Sequence, residues 1–143
     1  MSLFDSMQIN ASGLSLERLK LDTISTNVAN INTTRTEDGG PYLKKSVLFQ
    51  ESLKQHESFF TGERSVKSFG VKVTGVEEDN ENLKYVFDPS HPDADEQGYV
   101  AYPSVDLADE MVEMMQTIRT YDANVTALNA SKDMMKKALE ISR

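Results

Sequence analysis

The residue types that could carry out catalysis are few and scattered in this 143-residue chain. There is no cysteine, and the two histidines that could act as bases at neutral pH, His56 and His91, stand in no recognisable pattern with a nucleophile. The Gly39-Gly40-Pro41 turn precedes a strand-like run and not a helix, so it does not predict a phosphate-binding loop. The sequence therefore predicts no catalytic residue and no cofactor.

One acidic stretch has the spacing of a metal-binding loop. Asp93, Asp95 and Gln97, followed by Gly98, match the opening of a calcium loop, in which alternating oxygen ligands precede a sharp glycine turn. The last ligand position holds Ser104 where a bidentate Glu is needed, and no helix is predicted before Asp93. We expect an acidic turn here and no metal site.

The polar stretch NVANINTT (27–34) follows a long amphipathic pattern. Asn and Thr side chains can satisfy backbone groups at a helix end, and Asn32 is predicted to provide a left-handed cap. Asn27 and Asn30 lie on one helix face because they are three residues apart. We expect these two amides to hydrogen-bond a neighbouring helix or the following loop, and so to fix its register.

The charge distribution excludes two classes of partner. The net charge is −8, and the densest basic pair, Lys44-Lys45, is typical of an ordinary solvated pair, so binding to nucleic acid is disfavoured. No apolar run approaches the ~20 residues that a membrane span requires, so no membrane insertion is predicted. The first basic residue after Asp5 is Arg18, which does not match a Sec-type signal peptide.

The N-terminal residues predict a long amphipathic helix. Its main apolar stripe is spaced mostly in sevens and consists of Met7, Leu14, Leu21, Ile24, Val28 and Ile31. A second patch of Ile9, Leu16 and Leu19 falls on roughly the opposite side, which indicates two neighbours for this helix. Gly13 inside the helix indicates a bend or a close contact.

The C-terminal residues predict a longer helix with a heptad pattern, because no Gly or Pro occurs from 104 to 143. Its a positions are Met111, Ile118, Val125 and Leu139, with Lys132 as the exception, and its d positions are Leu107, Met114, Tyr121, Leu128 and Met135. Mostly small side chains line the reverse face: Val112, Ala123, Ala127, Ala130 and Met134. This face would let another helix approach closely.

The middle of the chain holds all four prolines and six of the seven glycines. Alternating patterns predict strands at 71–76 and 83–87 joined by a hairpin loop at 77–82, a strand or short helix at 46–53, and a short strand at 98–102. The predicted fold is α+β, with long terminal helices forming an antiparallel coiled-coil-like pair around a small β-rich insertion. Its segments are 1–34, 35–103 and 104–143, with the first and last packing as one helical domain.

Several motifs together resemble one protein family along nearly the whole chain. They are NVANINT (27–33), GGPYLKK (39–45), DPSHPDAD (88–95), GYVAYP (98–103) and the residues from Glu110 to Asn124. These motifs resemble the FlgC family of bacterial flagellar basal-body rod proteins, and Leu43 departs from the Arg expected in GGPYRRK. The residues that match the family motifs are Asn27, Asn30, Asn32, Glu110, Arg119 and Asn124.

The resemblance implies a structural subunit of the proximal rod, which transmits torque for motility. It also implies export through the flagellar type III apparatus without a cleaved signal, and a final location in the rod within the cell envelope or periplasm. The implied partners are the rod proteins FlgB, FlgF and FlgG, the adaptor FliE, the membrane-ring protein FliF and further copies of this chain. The apolar stripes of the two helices are then the expected assembly interface.

Two other readings are compatible with parts of the sequence. A soluble cytoplasmic coiled-coil chaperone or adaptor of the export system would share the acidity, the helices and the lack of cysteine, and a pair of helices could also close on itself as a hairpin. An enzyme ranks below both because no catalytic pattern was found. We also expect frayed termini in an isolated monomer, because its apolar faces would lack their partners.

Overall fold

The chain folds into two long helices that flank four strands. The computed structural model describes residues 3–37, 39–57, 64–80 and 82–141. In chain order the elements are α1 (Leu3–Ala29), β1 (Lys45–Glu57), β2 (Arg64–Glu78), β3 (Leu83–Phe87), β4 (Tyr99–Pro103) and α2 (Leu107–Ile141). The predicted α+β class with long terminal helices is confirmed. Neither helix has a stretch apolar enough to cross a membrane within these residues.

The start of α2 follows from its local sequence. The Asp106 carboxylate accepts hydrogen bonds from the backbone amides of Ala108 (2.8 Å) and Asp109 (3.4 Å), which is the arrangement of an N-cap. Asp109 and Glu110 place further negative charge in the first turn, where the helix dipole favours it. With no Gly or Pro to interrupt it, α2 continues for 35 residues.

The four strands form two separate two-stranded sheets, β1 with β2 and β3 with β4. β3 and β4 are antiparallel, with Leu83 opposite Pro103 and Phe87 opposite Tyr99. The predicted hairpin between 71–76 and 83–87 is therefore wrong. The strand at 71–76 belongs to β2 and pairs with β1, while the turn after Asp88, closed by a 2.9 Å bond from its amide to the Gly98 carbonyl, returns the chain as β4.

The chain divides into two compact units, each containing part of both helices. The first unit comprises Met1–Leu19, Leu48–Gly75 and Thr117–Arg143. The second comprises Lys20–Val47 and Val76–Gln116, and it holds the asparagine-rich end of α1, the β3–β4 sheet and the start of α2.

The buried interior is small and unusually polar. Among the described residues, only four hydrophobic side chains are buried, which are Leu16, Ile24, Tyr42 and Val100. Five polar or charged side chains are also buried, which are Glu17, Asn27, Glu110, Thr117 and Ser131. Because burying apolar surface is the main favourable term in folding, so few buried apolar side chains provide little stability of their own.

In the first unit, β2 covers the side of α1 that carries the second apolar patch. The Ser12 hydroxyl accepts a hydrogen bond from the Val71 amide at 3.1 Å, and a Cβ placed on Gly70 would lie 3.2 Å from the Cα of Ile9. The second neighbour predicted for α1 is therefore a strand of the same chain.

The helices approach closely at Gly13. A Cβ at this position would lie 2.9 Å from Nδ2 of Asn124 on α2. The close contact expected at Gly13 is thus observed, and it brings a residue in the first half of α1 to the middle of α2. In the second unit, Asn27 near the end of α1 meets Glu110 in the first turn of α2. The two contacts run in opposite directions along the helices, as an antiparallel pair requires.

Gly70 is the glycine whose replacement should cost the most. Its φ is +96°, and a Cβ there would collide with the Ser12 hydroxyl and press on the backbone of Ile9. We expect Gly70→Ala to lower the free energy of unfolding by about 2 kcal/mol or more, since left-handed strain and a steric clash add. Urea denaturation followed by circular dichroism measures this change.

Gly75 of the same strand provides the matched control. It has an ordinary φ, and nothing lies within 4 Å of where its Cβ would be. Gly75→Ala should leave stability unchanged or raise it by up to about 1 kcal/mol. Equal effects of the two substitutions would contradict the packing of α1 against β2 described here.

Candidate assembly interface

Within the chain, α2 buries a line of polar side chains that are spaced seven residues apart. Glu110, Thr117 and Ser131 are buried, and Asn124, the remaining member of the series, is half-buried against Gly13. These are the g positions of the heptads, next to half-buried d positions. Within the chain, α2 therefore packs through its d and g positions, whereas its sequence pattern marks a and d as the apolar seam.

Glu110 is the centre of a buried polar cluster in the second unit. Its side chain is fully buried, and its Oε1 lies 2.7 Å from Nζ of Lys44. Its Oε2 accepts a hydrogen bond from Nδ2 of Asn27 at 3.2 Å. A buried carboxylate is costly unless it is paired, and here both oxygens have partners. The pair joins the first turn of α2 to the segment that precedes β1.

The Asn27 amide fills the rest of this cluster and uses all of its hydrogen-bonding capacity. Its Nδ2 also donates to the Lys45 carbonyl at 2.9 Å. Its Oδ1 accepts hydrogen bonds from the Tyr42 hydroxyl at 2.8 Å and from the Lys45 amide at 3.0 Å. An amide offers two donors and two acceptor sites, so a single buried side chain ties α1 to the following loop and to α2.

The cluster also changes the acid–base behaviour of its neighbours. The hydrogen bond to Glu110 raises the pKa of the Lys44 ammonium above its usual value, although burial acts against the rise. Burial raises the pKa of the Tyr42 phenol, and the carboxylates of Glu110 and Glu78 add to that rise. Lys44 therefore remains charged and Tyr42 neutral at physiological pH.

Lys44 and Lys45 are not the solvated pair that the sequence indicated. Only 27% of the Lys44 side chain is exposed, because it reaches Glu110, and Lys45 pairs with Glu78 at 3.2 Å. Local sequence patterns could not predict that the Lys44 ammonium would pair with the carboxylate of Glu110, which is distant in the chain. The sequence signal for this contact was the family resemblance, which included GGPYLKK among its motifs.

The end of α1 is capped differently from the prediction. No described residue other than glycine has a positive φ, so Asn32 does not form a left-handed cap. Asn30 instead donates from Nδ2 to the Thr26 carbonyl at 2.9 Å and accepts from the Thr33 hydroxyl at 3.1 Å. The helix therefore ends through local hydrogen bonds of Asn30, while Asn32 is exposed.

The predicted α1 stripe is only partly buried. Ile24 is buried and the other five residues are half-buried: Met7, Leu14, Leu21, Val28 and Ile31. The exposed face of α1 from Gln8 to Ala29 is polar or small. From Met7 onward this helix thus directs its apolar side chains toward its own chain, whereas Phe4 near its start is 72% exposed.

α2 leaves a large part of its apolar surface exposed. The exposed fractions at the a positions are 52% for Met111, 43% for Ile118 and 71% for Leu139. Val125 is half-buried, as are the d residues Met114, Tyr121, Leu128 and Met135, whereas Leu107 is exposed. Of the family-motif residues on α2, Arg119 is also exposed. Contiguous exposed apolar surface of this kind is typical of a protein–protein interface.

The acidic turn before β4 makes structural contacts. The Asp93 carboxylate accepts from the Thr34 hydroxyl at 2.9 Å and lies 3.6 Å from the Arg35 guanidinium. Asp95 instead caps its own turn, accepting from the amides of Gln97 at 2.9 Å and Tyr99 at 2.8 Å. The two carboxylates thus point to different partners. The side chain of His56 lies outside the described residues.

Comparisons with known proteins match this architecture at both ends. A family model described as "Flagella basal body rod protein" matches residues 7–35, and one described as "Flagellar basal body rod FlgEFG protein C-terminal" matches residues 96–141. Together they cover most of α1 and all of β4 and α2.

Full-length relatives carry the same family name. The flagellar basal-body rod protein FlgC of Bacillus subtilis is 39% identical, with 100% of both chains aligned. Those of Borreliella burgdorferi (39%, 99% of this chain and 98% of the relative) and Salmonella typhimurium (36%, 100% of both) are similar over the same extent. The chain therefore belongs to the FlgC family of flagellar basal-body rod proteins and is a structural subunit of the flagellar basal-body rod.

Proposed function

We propose that the chain is a proximal-rod subunit that transmits torque through contacts between its helices and neighbouring subunits. The observation that carries this proposal is the exposed apolar surface of α2, which the chain's own fold leaves uncovered. Torque transmission requires many stiff contacts that resist shear. An apolar helix face that becomes buried only on assembly supplies such contacts without chemistry.

The assembly interface proposed here consists mainly of the exposed a positions of α2. Met111, Ile118 and Leu139 remain 52%, 43% and 71% exposed in the part of the chain that the structure describes. The stripe of α1 contributes less, because its residues are buried or half-buried already. The polar cluster of Asn27 and Glu110 holds the start of α2 in place beneath this surface.

Membership of the rod family means that the chain acts in the basal body and associates with other rod components. Within that setting we propose FlgB, FlgF and FlgG as neighbours along the rod, with FliE and the ring protein FliF at its base. The proposed location is the rod within the cell envelope, reached by flagellar type III export with no cleaved signal peptide. We further propose that the chain has no enzymatic activity, in keeping with a structural family.

A pair of charged substitutions tests the role of the α2 surface. Met111→Asp with Met115→Asp puts two charges on the exposed apolar face, one helical turn apart, and should abolish motility because a desolvated charge would be buried at the interface. Swimming in soft agar and the yield of purified basal bodies measure the effect. Both side chains are about half exposed, so the variant should still fold.

Ala11→Asp with Ser15→Asp is the matched control, because it introduces the same spacing of charges on the exposed polar face of α1. This control should retain most of the motility. Normal swimming by the α2 variant would contradict the proposal. Recovery of the wild-type chain only in a cytoplasmic complex with export substrates would favour a chaperone or adaptor instead.

A further inference from the structure

The imidazole ring of His91, in the turn between β3 and β4, has one nitrogen that faces both a donor and an acceptor of the same residue. Nδ1 accepts a hydrogen bond from the Asp93 amide at 3.1 Å. Oδ2 of the Asp93 carboxylate lies 4.0 Å from the same nitrogen. The side chains of His91 and Asp93 are 26% and 23% exposed, so the contact is partly shielded from water. Which of the two groups the ring binds depends on whether Nδ1 carries a proton.

The hydrogen bond from the Asp93 amide fixes the protonation state of the ring. A ring nitrogen that accepts a hydrogen bond carries no proton, so the ring is neutral here and its proton is on Nε2. Protonation of the ring places a hydrogen on Nδ1 and turns this nitrogen from an acceptor into a donor. The Asp93 amide then loses its acceptor, and the Asp93 carboxylate becomes a charged partner for the new donor.

The same carboxylate links the turn to the segment that follows α1. Its Oδ2 accepts a hydrogen bond from the Thr34 hydroxyl at 2.9 Å, a contact between residues that are 59 positions apart in the chain. Its Oδ1 lies 3.6 Å from the Arg35 guanidinium. Oδ2 is thus the oxygen that Thr34 binds and also the oxygen near Nδ1 of His91. A change of partner at Oδ2 therefore alters a contact between two distant segments of the second unit.

Three elements bring ionisable groups toward the ring. Asp88 and Asp93 belong to its own turn, and the Asp88 carboxylate senses the charge of His91. Tyr102 of β4 contacts the ring edge-on, with centroids 6.4 Å apart. Arg35, from the segment after α1, pairs with the other oxygen of Asp93. A protonated ring therefore has carboxylates beside it as counter-charges, and Arg35 competes with it for Asp93.

We propose that His91 is a pH-sensitive switch between two arrangements of this turn. The neutral ring binds the Asp93 amide and leaves the carboxylate on Thr34, whereas the protonated ring releases the amide and takes the carboxylate from Thr34. The proton thus controls a contact between the β3–β4 turn and the segment after α1. The inference is independent of the proposed function, because none of the exposed apolar residues of α2 takes part in it.

Nuclear magnetic resonance of the purified full-length chain tests the switch. We would label the chain with nitrogen-15, replace the other histidine by His56→Gln, and record spectra from about pH 8 to about pH 5, the interval in which histidine ordinarily changes charge. At the upper end, Nε2 should be protonated and Nδ1 unprotonated. As the ring gains its proton, protection of the Asp93 amide against solvent exchange should fall about fivefold or more, the weight of one hydrogen bond. The Thr34 signals should move with the same midpoint as the ring.

Two variants separate the parts of the switch. An asparagine oxygen can accept from the backbone amide two residues on and does not titrate, so His91→Asn should keep the Asp93 amide equally protected across the pH range. Asp93→Asn keeps an oxygen that can accept from Thr34 but removes the charge that attracts a protonated ring. In this variant the Thr34 signals should no longer follow the titration of His91.

Each contrary result overturns a stated part of the inference. A proton on Nδ1 at the upper end of the range, or unchanged protection of the Asp93 amide while the ring titrates, would overturn the switch. The same pH dependence in His91→Asn would assign the effect to another group and overturn it as well. Loss of amide protection without any response of Thr34 would overturn the transfer of the carboxylate. None of these results bears on the proposed function, which is tested separately by motility and the yield of basal bodies.

Discussion

Replacing Glu110 with alanine should lower the free energy of unfolding by about 3–5 kcal/mol, the cost of removing one partner of a buried ion pair. The side chain is fully buried, so its removal leaves the Lys44 ammonium without its counter-charge and the Asn27 amide without one acceptor. Single domains are stable by only about 5–15 kcal/mol, so the variant should be partly unfolded at 37 °C. Urea denaturation of the purified chain measures the change.

A double substitution separates the cost of an unpaired charge from the loss of the side chain itself. Lys44→Met with Glu110→Met removes both charges and keeps most of the buried volume, so its stability should lie within about 2 kcal/mol of wild type. A Glu110→Ala protein within about 1 kcal/mol of wild type would contradict the assignment of this pair as the main anchor of α2.

Asn27→Ala is expected to have the second largest effect, a loss of about 2–4 kcal/mol. The substitution leaves four groups without their partner: the Tyr42 hydroxyl, the amide and carbonyl of Lys45, and one oxygen of Glu110. Buried polar groups that lose a hydrogen bond keep the full cost of their desolvation, and two of these four bonds are fully buried. Thermal unfolding followed by circular dichroism measures the effect.

Asn30→Ala is the control from the same motif. Asn30 bonds only its own helix end and the Thr33 hydroxyl, both at or near the surface, so the expected loss is below about 1 kcal/mol. Equal losses for Asn27→Ala and Asn30→Ala would show that the motif acts only as a helix end. Unchanged stability of Asn27→Ala, combined with failed assembly, would instead support a contact of Asn27 with a neighbouring subunit.

The long helices could be predicted from the sequence because their signals are local. Apolar residues recur at sevens over both segments, with Lys132 as the one exception in α2, and no Gly or Pro interrupts that helix. The buried face of α2 was harder to predict than the helix itself. A heptad pattern identifies the most apolar face of a helix, and that face is normally assumed to be the buried one. Here the buried g line is polar, from Glu110 to Ser131, while a residues such as Met111 remain exposed.

Neither the strand pairing nor the buried cluster around Glu110 could be predicted from local sequence patterns. Alternation located the strand at 71–76 correctly, but it pairs with the preceding strand β1 and not with the following strand β3, so the predicted hairpin was wrong. Glu110 lies in the first turn of α2, where its charge is favourable for the helix dipole. The Glu110 side chain is buried against Lys44 only because the segments that contain Asn27, Lys44 and Glu110 meet in the fold. No spacing in the sequence predicts this meeting. Only the resemblance had marked Asn27 and Glu110 together.

A density map of the assembled basal body, resolved well enough to trace side chains, would show whether the exposed face of α2 is an assembly interface. We predict that Met111, Met115 and Ile118 are buried against neighbouring subunits in the rod. We also predict that Asn27, Lys44 and Glu110 keep their contacts within one chain. A rod in which the exposed face of α2 is turned to solvent, or in which Glu110 pairs with another subunit, would contradict these predictions.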